Sequence, residues 1–172
     1  MRRQIVSSLI VAAVLASVCL AAQKPNFSGN WTMDRARSFG MPGNMNQTMT
    51  VSQNGDVIEL ETKLIQPGNE RTVKDSYTLD GKEREFTPLT PPNAPPNAPP
   101  VKGKRTANWM PNGKGILVNE VTTTEGPKGP VTNQLTRKWT LSSDGELIID
   151  MYIDNQNGSF ETKRIFKKAA AQ

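Results

Sequence analysis

The sequence predicts an all-β protein, an antiparallel up-and-down meander of about 8–10 strands that closes into a β-barrel. Three observations carry this. The pairs Asn54-Gly55, Asp80-Gly81, Asn112-Gly113, Asp144-Gly145 and Asn157-Gly158 punctuate the chain. Between them the residues alternate apolar and polar with a period of two. No segment longer than about ten residues has helical periodicity. Asn, Asp and Gly tolerate the positive φ that a type I′ turn demands at both central positions, so each pair is expected to close a hairpin. An open meander would leave long bare edges, and closure removes them. A two-sheet sandwich is the alternative, since it needs a long crossover and the chain has one long link.

Residues 1–22 read as a signal peptide. Arg2 and Arg3 precede a mostly apolar run from Ile5 to Leu20, and the small residues Ala21 and Ala22 follow. The run is too short to span a bilayer comfortably, so no stable membrane span is expected once it is cleaved near Ala22. Residues 23–172 are then one exported domain, periplasmic or extracellular.

Composition narrows the function. The sequence has no His, and its single Cys, Cys19, lies in the leader. The mature chain therefore lacks disulfides, a thiolate nucleophile, an imidazole base and the His or Cys ligands of zinc, copper or haem. The reading is non-catalytic, with no metal and no cofactor. A formal charge of +5, two units of which depart with Arg2 and Arg3, is spread along the chain. Aromatics do not interleave with the basic residues as on a single-strand-binding face, so nucleic acid is not an expected partner.

The strands follow in order. Phe27–Met33 opens the fold, with Gly29 permitting a bend or a close approach. Asp34–Asn46 is a Gly-, Pro- and Met-containing loop or short lid. Met49 and Val51 begin the next strand. Across Asn54-Gly55, Ile58, Leu60, Thr62 and Leu64 share a face. Gln66-Pro67-Gly68-Asn69 turns the chain, and Val73, Asp75, Tyr77 and Leu79 share the next face. A short strand ends at Phe86. Residues 88–103 form an exposed Pro-rich loop, with seven prolines between Pro88 and Pro100, and this stretch (88–100) is a candidate docking segment for a partner. Strands resume at Lys104–Met110 and Gly115–Thr124. Beyond Gly126-Pro127-Lys128-Gly129-Pro130, the faces are Val131, Leu135, Trp139 and Leu141, then Leu147, Ile149, Met151 and Ile153, then Phe160, Thr162, Arg164 and Phe166.

The segment Asn26-Phe27-Ser28-Gly29-Asn30-Trp31 resembles the Phe-x-Gly-x-Trp opening of the lipocalins and fatty-acid-binding proteins, together the calycin group. The segments Asp144–Ile148 and Thr162–Lys168 are similar to the last hairpin of the fatty-acid-binding proteins. In those proteins an Arg-x-Tyr pair holds the ligand carboxylate. Arg164 matches the Arg, while Phe166 stands where the family has Tyr. The start Asn-Phe-Ser-Gly-x-Trp and the segment Trp139–Gly145 also resemble exported bacterial proteins of unassigned function.

Phe27, Gly29 and Trp31 are accordingly read as structural, closing the barrel floor. In lipocalins an Arg from the last strands lies over that Trp, and the resemblance gives Arg137 or Arg164 this role against Trp31. The other reading makes Arg164 a carboxylate or phosphate clamp inside the cavity. Asp75, on the inward pattern beside Tyr77, is expected to pair with one of the arginines Arg105, Arg137 or Arg164. The methionines are read as flexible apolar packing. The function expected is a lipocalin-like barrel binding a small apolar or amphiphilic ligand through Arg164, Arg137, Tyr77, Leu135 and Met151. The alternative is a non-catalytic envelope or structural module with a filled interior.

Overall fold

The structure is a computed structural model that describes residues 24–41, 43–88, 101–126 and 129–169. The signal-peptide reading (1–22) and almost all of the Pro-rich stretch (89–100) lie outside the described residues.

Ten strands form one antiparallel sheet. They are β1 (Gly29–Met33), β2 (Asn46–Asn54), β3 (Val57–Gln66), β4 (Asn69–Thr78), β5 (Arg84–Phe86), β6 (Lys102–Trp109), β7 (Gly115–Gly126), β8 (Gly129–Leu141), β9 (Leu147–Asn155) and β10 (Gly158–Lys168). The spatial order is β4-β3-β2-β1-β10-β9-β8-β7-β6-β5, so the first strand pairs with the last and a single sheet curls on itself. This is the expected meander, and the sandwich is not formed. A single turn of 3-10 helix, Arg35–Arg37, interrupts the β1–β2 connection. None of the described helices is long and apolar enough to cross a membrane.

Closure differs from the expectation. Hydrogen-bonded pairing ends at β4 on one side and β5 on the other, leaving a seam between them. One isolated bridge, Asp80↔Asn108, and the bond from Gly81 N–H to Ala107 O tie the two sides at one end. Asp80-Gly81 therefore closes no hairpin; it carries the chain across the seam. β6 begins at Lys102, two residues ahead of the expected start.

The turn chemistry also differs. Positive φ occurs only at glycines among the described residues, so no Asn or Asp adopts the type I′ conformation. Gln53↔Ile58 and Asn54↔Val57 pair directly, making Gly55-Asp56 the two-residue loop, with φ +58° at Gly55 as a type II′ turn requires. Asn112-Gly113 and Asp144-Gly145 close longer loops.

Alternation then sorts the side chains. Trp31, Met33, Met49, Val51, Ile58, Tyr77, Ala107, Ile116, Val118, Trp139, Leu147, Ile149, Met151 and Phe166 are buried on the concave face. An aromatic plug fills the end where the seam is bridged. Phe27 stacks on Trp109, its ring centroid 6.4 Å away, and meets Trp139 edge-on at 6.0 Å; Tyr77 meets Trp139 edge-on at 5.9 Å.

Candidate functional site

Above the aromatic plug the concave face turns polar. The register explains which residues meet. Thr162, Met151, Arg137, Val118 and Ala107 form one cross-strand row from β10 to β6. The next row toward the open end contains Ile153, Leu135, Glu120 and Arg105. Met151 thus lies directly opposite Arg137, and Leu135 directly opposite Glu120. Arg164 falls one row lower, opposite Ile149, in the row of Trp139. Four of the five expected ligand-contacting residues share the β8–β10 wall. Tyr77 faces them from β4, only 3% exposed.

The arginines are not equivalent. Arg105 donates from Nη1 and Nη2 to the two Asp75 oxygens at 2.6 and 2.8 Å, and from Nε to Glu120 Oε1 at 2.7 Å. Its guanidinium lies over the rings of Tyr77 and Phe86, 4.9 and 4.2 Å from their centroids. Gly103 gives Phe86 its place, because a Cβ there would overlap the Phe86 ring. Asp75 thus pairs with Arg105, one of the three candidates.

Arg137 Nη1 sits 2.7 Å from Glu120 Oε1 but is not aligned to hydrogen-bond it. Arg164 has no described ion pair. Its Nη1 donates to Gln47 Oε1 at 3.0 Å, and its buried Nε has no partner among the described residues. Burial and the positive charge of Arg137 push the Arg164 pKa down, to about 10. The Thr162 hydroxyl and the Trp139 indole N–H are likewise buried and unpaired. Tyr77 is shifted the other way: burial raises its pKa to about 12. Among the described residues three guanidinium groups therefore face two carboxylates, one negative charge short.

Trp31 is 2% exposed, its Nε1–H donating to Phe27 O at 2.9 Å. Neither Arg137 nor Arg164 lies over its ring. The cation there is Lys168, with Nζ 5.7 Å from the ring centroid, because β1–β10 pairing sets Trp31 opposite Lys168. Gly29, at φ +144°, leaves room for that lysine. The resemblance implied an arginine over this ring; Lys168 occupies the place instead.

Glu120 and Gln47 were not singled out from sequence. Glu120 continues the alternation of Ile116 and Val118 and is 5% exposed, so a carboxylate in phase with a buried face was the available signal. Among the described residues no group of carboxylates could hold a metal ion. Two grooves are described, of about 340 and 600 Å³. The first is lined by residues of β8–β10 that include Thr136, Tyr152 and Phe160, the second by residues of β2–β4 that include Thr50, Glu59 and Lys74. Neither is lined by Tyr77, Leu135 or Met151.

No protein-family model matches the chain, and no curated protein matches it. Among solved structures, the zebrafish ileal bile acid-binding protein complexed with cholic acid is similar, with a TM-score of 0.50 and 16% identity over 83% of this chain and 98% of that one. At this identity the likeness concerns the fold alone: the chain has a calycin-like β-barrel architecture.

Proposed function

We propose that the protein is a non-catalytic carrier that takes a small amphiphilic molecule with an anionic head into the barrel. One observation carries this: Arg164 is half-buried, with a buried, unpaired Nε and no carboxylate partner among the described residues. A buried guanidinium is costly unless paired, and an anion arriving from solvent supplies the missing charge. Leu135 offers apolar surface along the same wall, backed by Met151, and Tyr77 faces them from β4. The fold is also one in which a solved neighbour is described as complexed with cholic acid, which supports a container reading. The N-terminal pattern supports action outside the cytoplasm, testable by mass analysis of exported material for a chain beginning near Gln23.

A second reading keeps the interior filled and makes the protein a structural module. It is favoured by the position of the two described grooves, neither of which is lined by the expected contact residues. Tryptophan fluorescence titration separates the two. Palmitate and cholate are expected to give saturable changes that cetyl alcohol does not match, and Arg164→Leu is expected to weaken the two acids about 10–100-fold. Flat titrations with all three compounds would leave the filled module standing.

A further inference from the structure

The outer edge of β4 is a strand edge whose charges and free backbone groups fit its own copy. Gln66 and Asn69 flank the two-residue turn Pro67-Gly68 and are directly opposed. In such a hairpin the closing pair exchanges both hydrogen bonds, and alternate pairs repeat this. Asn69, Arg71, Val73, Asp75 and Tyr77 therefore bond to β3, while Glu70, Thr72, Lys74 and Ser76 aim N–H and C=O away from it. Ser76 bears this out, since its N–H donates to Asp75 Oδ1 and its carbonyl accepts from Arg105 Nη1. That leaves Glu70, Thr72 and Lys74, all exposed, with no described strand beside them.

We infer that this edge pairs antiparallel with the β4 edge of a second copy about a two-fold axis at Thr72. Centring the pairing on Thr72 opposes Thr72 to Thr72 and Glu70 to Lys74 at both ends, and all three are positions whose backbone groups have no strand partner among the described residues. The register demanded by hydrogen bonding is thus the register that makes two opposite-charge pairs, each on the outward face. A self-complementary patch of this kind is what a two-fold interface requires, and unlike a bare apolar edge it discriminates among partners. The existing contacts of Glu70 with Lys63 (3.7 Å) and Lys74 with Glu61 (3.3 Å) leave the two side chains 57% and 79% exposed, free to add a partner across the axis. The interface is short, so the association is weak and reversible.

Sedimentation velocity of the mature chain over a wide concentration range tests this independently of any ligand. A concentration-dependent dimer is expected, and Thr72→Pro, which removes a central N–H, is expected to abolish it while keeping the β-sheet circular dichroism. Glu70→Lys and Lys74→Glu each create like-charge pairs and are expected to weaken self-association about tenfold. Mixed in equal amounts, these two variants restore both opposite-charge pairs and are expected to associate more tightly than either alone. A chain monomeric at all concentrations overturns the inference. So does a dimer that a folded Thr72→Pro variant retains, or a mixture no tighter than its components. Should Thr72→Pro fail to fold, the mixing experiment decides by itself.

Discussion

Arg105 reaches across the open seam to Asp75 on β4, gripping both carboxylate oxygens at 2.6 and 2.8 Å where no backbone ladder joins the two sides. The same guanidinium also binds Glu120, which is 5% exposed. Side-chain charge thus does locally what strand pairing does elsewhere in the sheet.

Removing Arg105 leaves Glu120 with Arg137 as its remaining close cation and Asp75 without its guanidinium. Arg105→Leu is expected to cost about 3 kcal/mol in urea unfolding, as for breaking a buried pair by deleting one partner. Asp75→Asn is expected to cost under about 1 kcal/mol, because Arg105 keeps Glu120 and the Asp75 side chain is 29% exposed. Equal losses for the two variants would mean that the seam contact, and not Glu120, dominates.

Arg164 carries the opposite expectation. It is half-buried, its Nε enclosed, with a single described side-chain hydrogen bond, so replacing it with an apolar residue of similar length relieves desolvation. Arg164→Met is expected to unfold at equal or higher urea concentration than the wild type, by up to about 1–2 kcal/mol, while losing affinity for anionic amphiphiles. A variant that is strongly destabilised would assign Arg164 to the frame of the barrel.

Tyr77 gives a pH test. Its folded pKa of about 12 lies above the ordinary phenol value of 10.0 because burial disfavours the phenolate. Between those values the unfolded chain has released a proton that the folded chain retains. The stabilising contribution is full below pH 10 and is lost as pH rises through about 12. Tyr77→Phe is therefore expected to resist alkaline unfolding better than the wild type across this window. Parallel stability curves for the two proteins would count against a buried, protonated Tyr77.

Gly29 tests the floor. At φ +144° a side chain is strained, and a Cβ would stand 2.7 Å from Lys168 Cε. The lysine can swing aside, but only by leaving the Trp31 ring. Gly29→Ala is expected to cost about 1–3 kcal/mol, mostly backbone strain, read from the urea midpoint. Lys168→Ala should cost less than about 1 kcal/mol, since an exposed cation–π contact is worth little.

Local signals made the strands legible. Alternation assigned the inward faces of Ile58 to Leu64 and of Leu147 to Ile153 correctly, because a half-buried strand writes its burial directly into residue order. Asp80-Gly81 looked like the other four turn pairs, yet whether a turn closes a hairpin depends on what the next segment finds to pair with. β5, three residues long, finds β6. The cation over Trp31 was misassigned for a related reason: pairing of the first strand with the last selects Lys168, and that register is not written in either strand alone. The partners of the half-buried arginines come from distant strands, Gln47 for Arg164 and Asp75 for Arg105, so charge at an inward position was visible while its neutralisation was not. Phe166, 0% exposed, lies in a packed layer where the hydroxyl of a Tyr would need a partner of its own.

Because β1 lies between β2 and β10, the strand made first waits for the strand made last. A nascent chain that stops before Phe166 has β2 beside Trp31 but leaves the opposite flank of β1 bare, and the growing sheet keeps that open border until β10 is in place. Closing so large a loop is slow compared with zipping any one hairpin. Assembly is therefore gated by the eleven-residue β10, and deleting that strand removes the lock and not merely a tail.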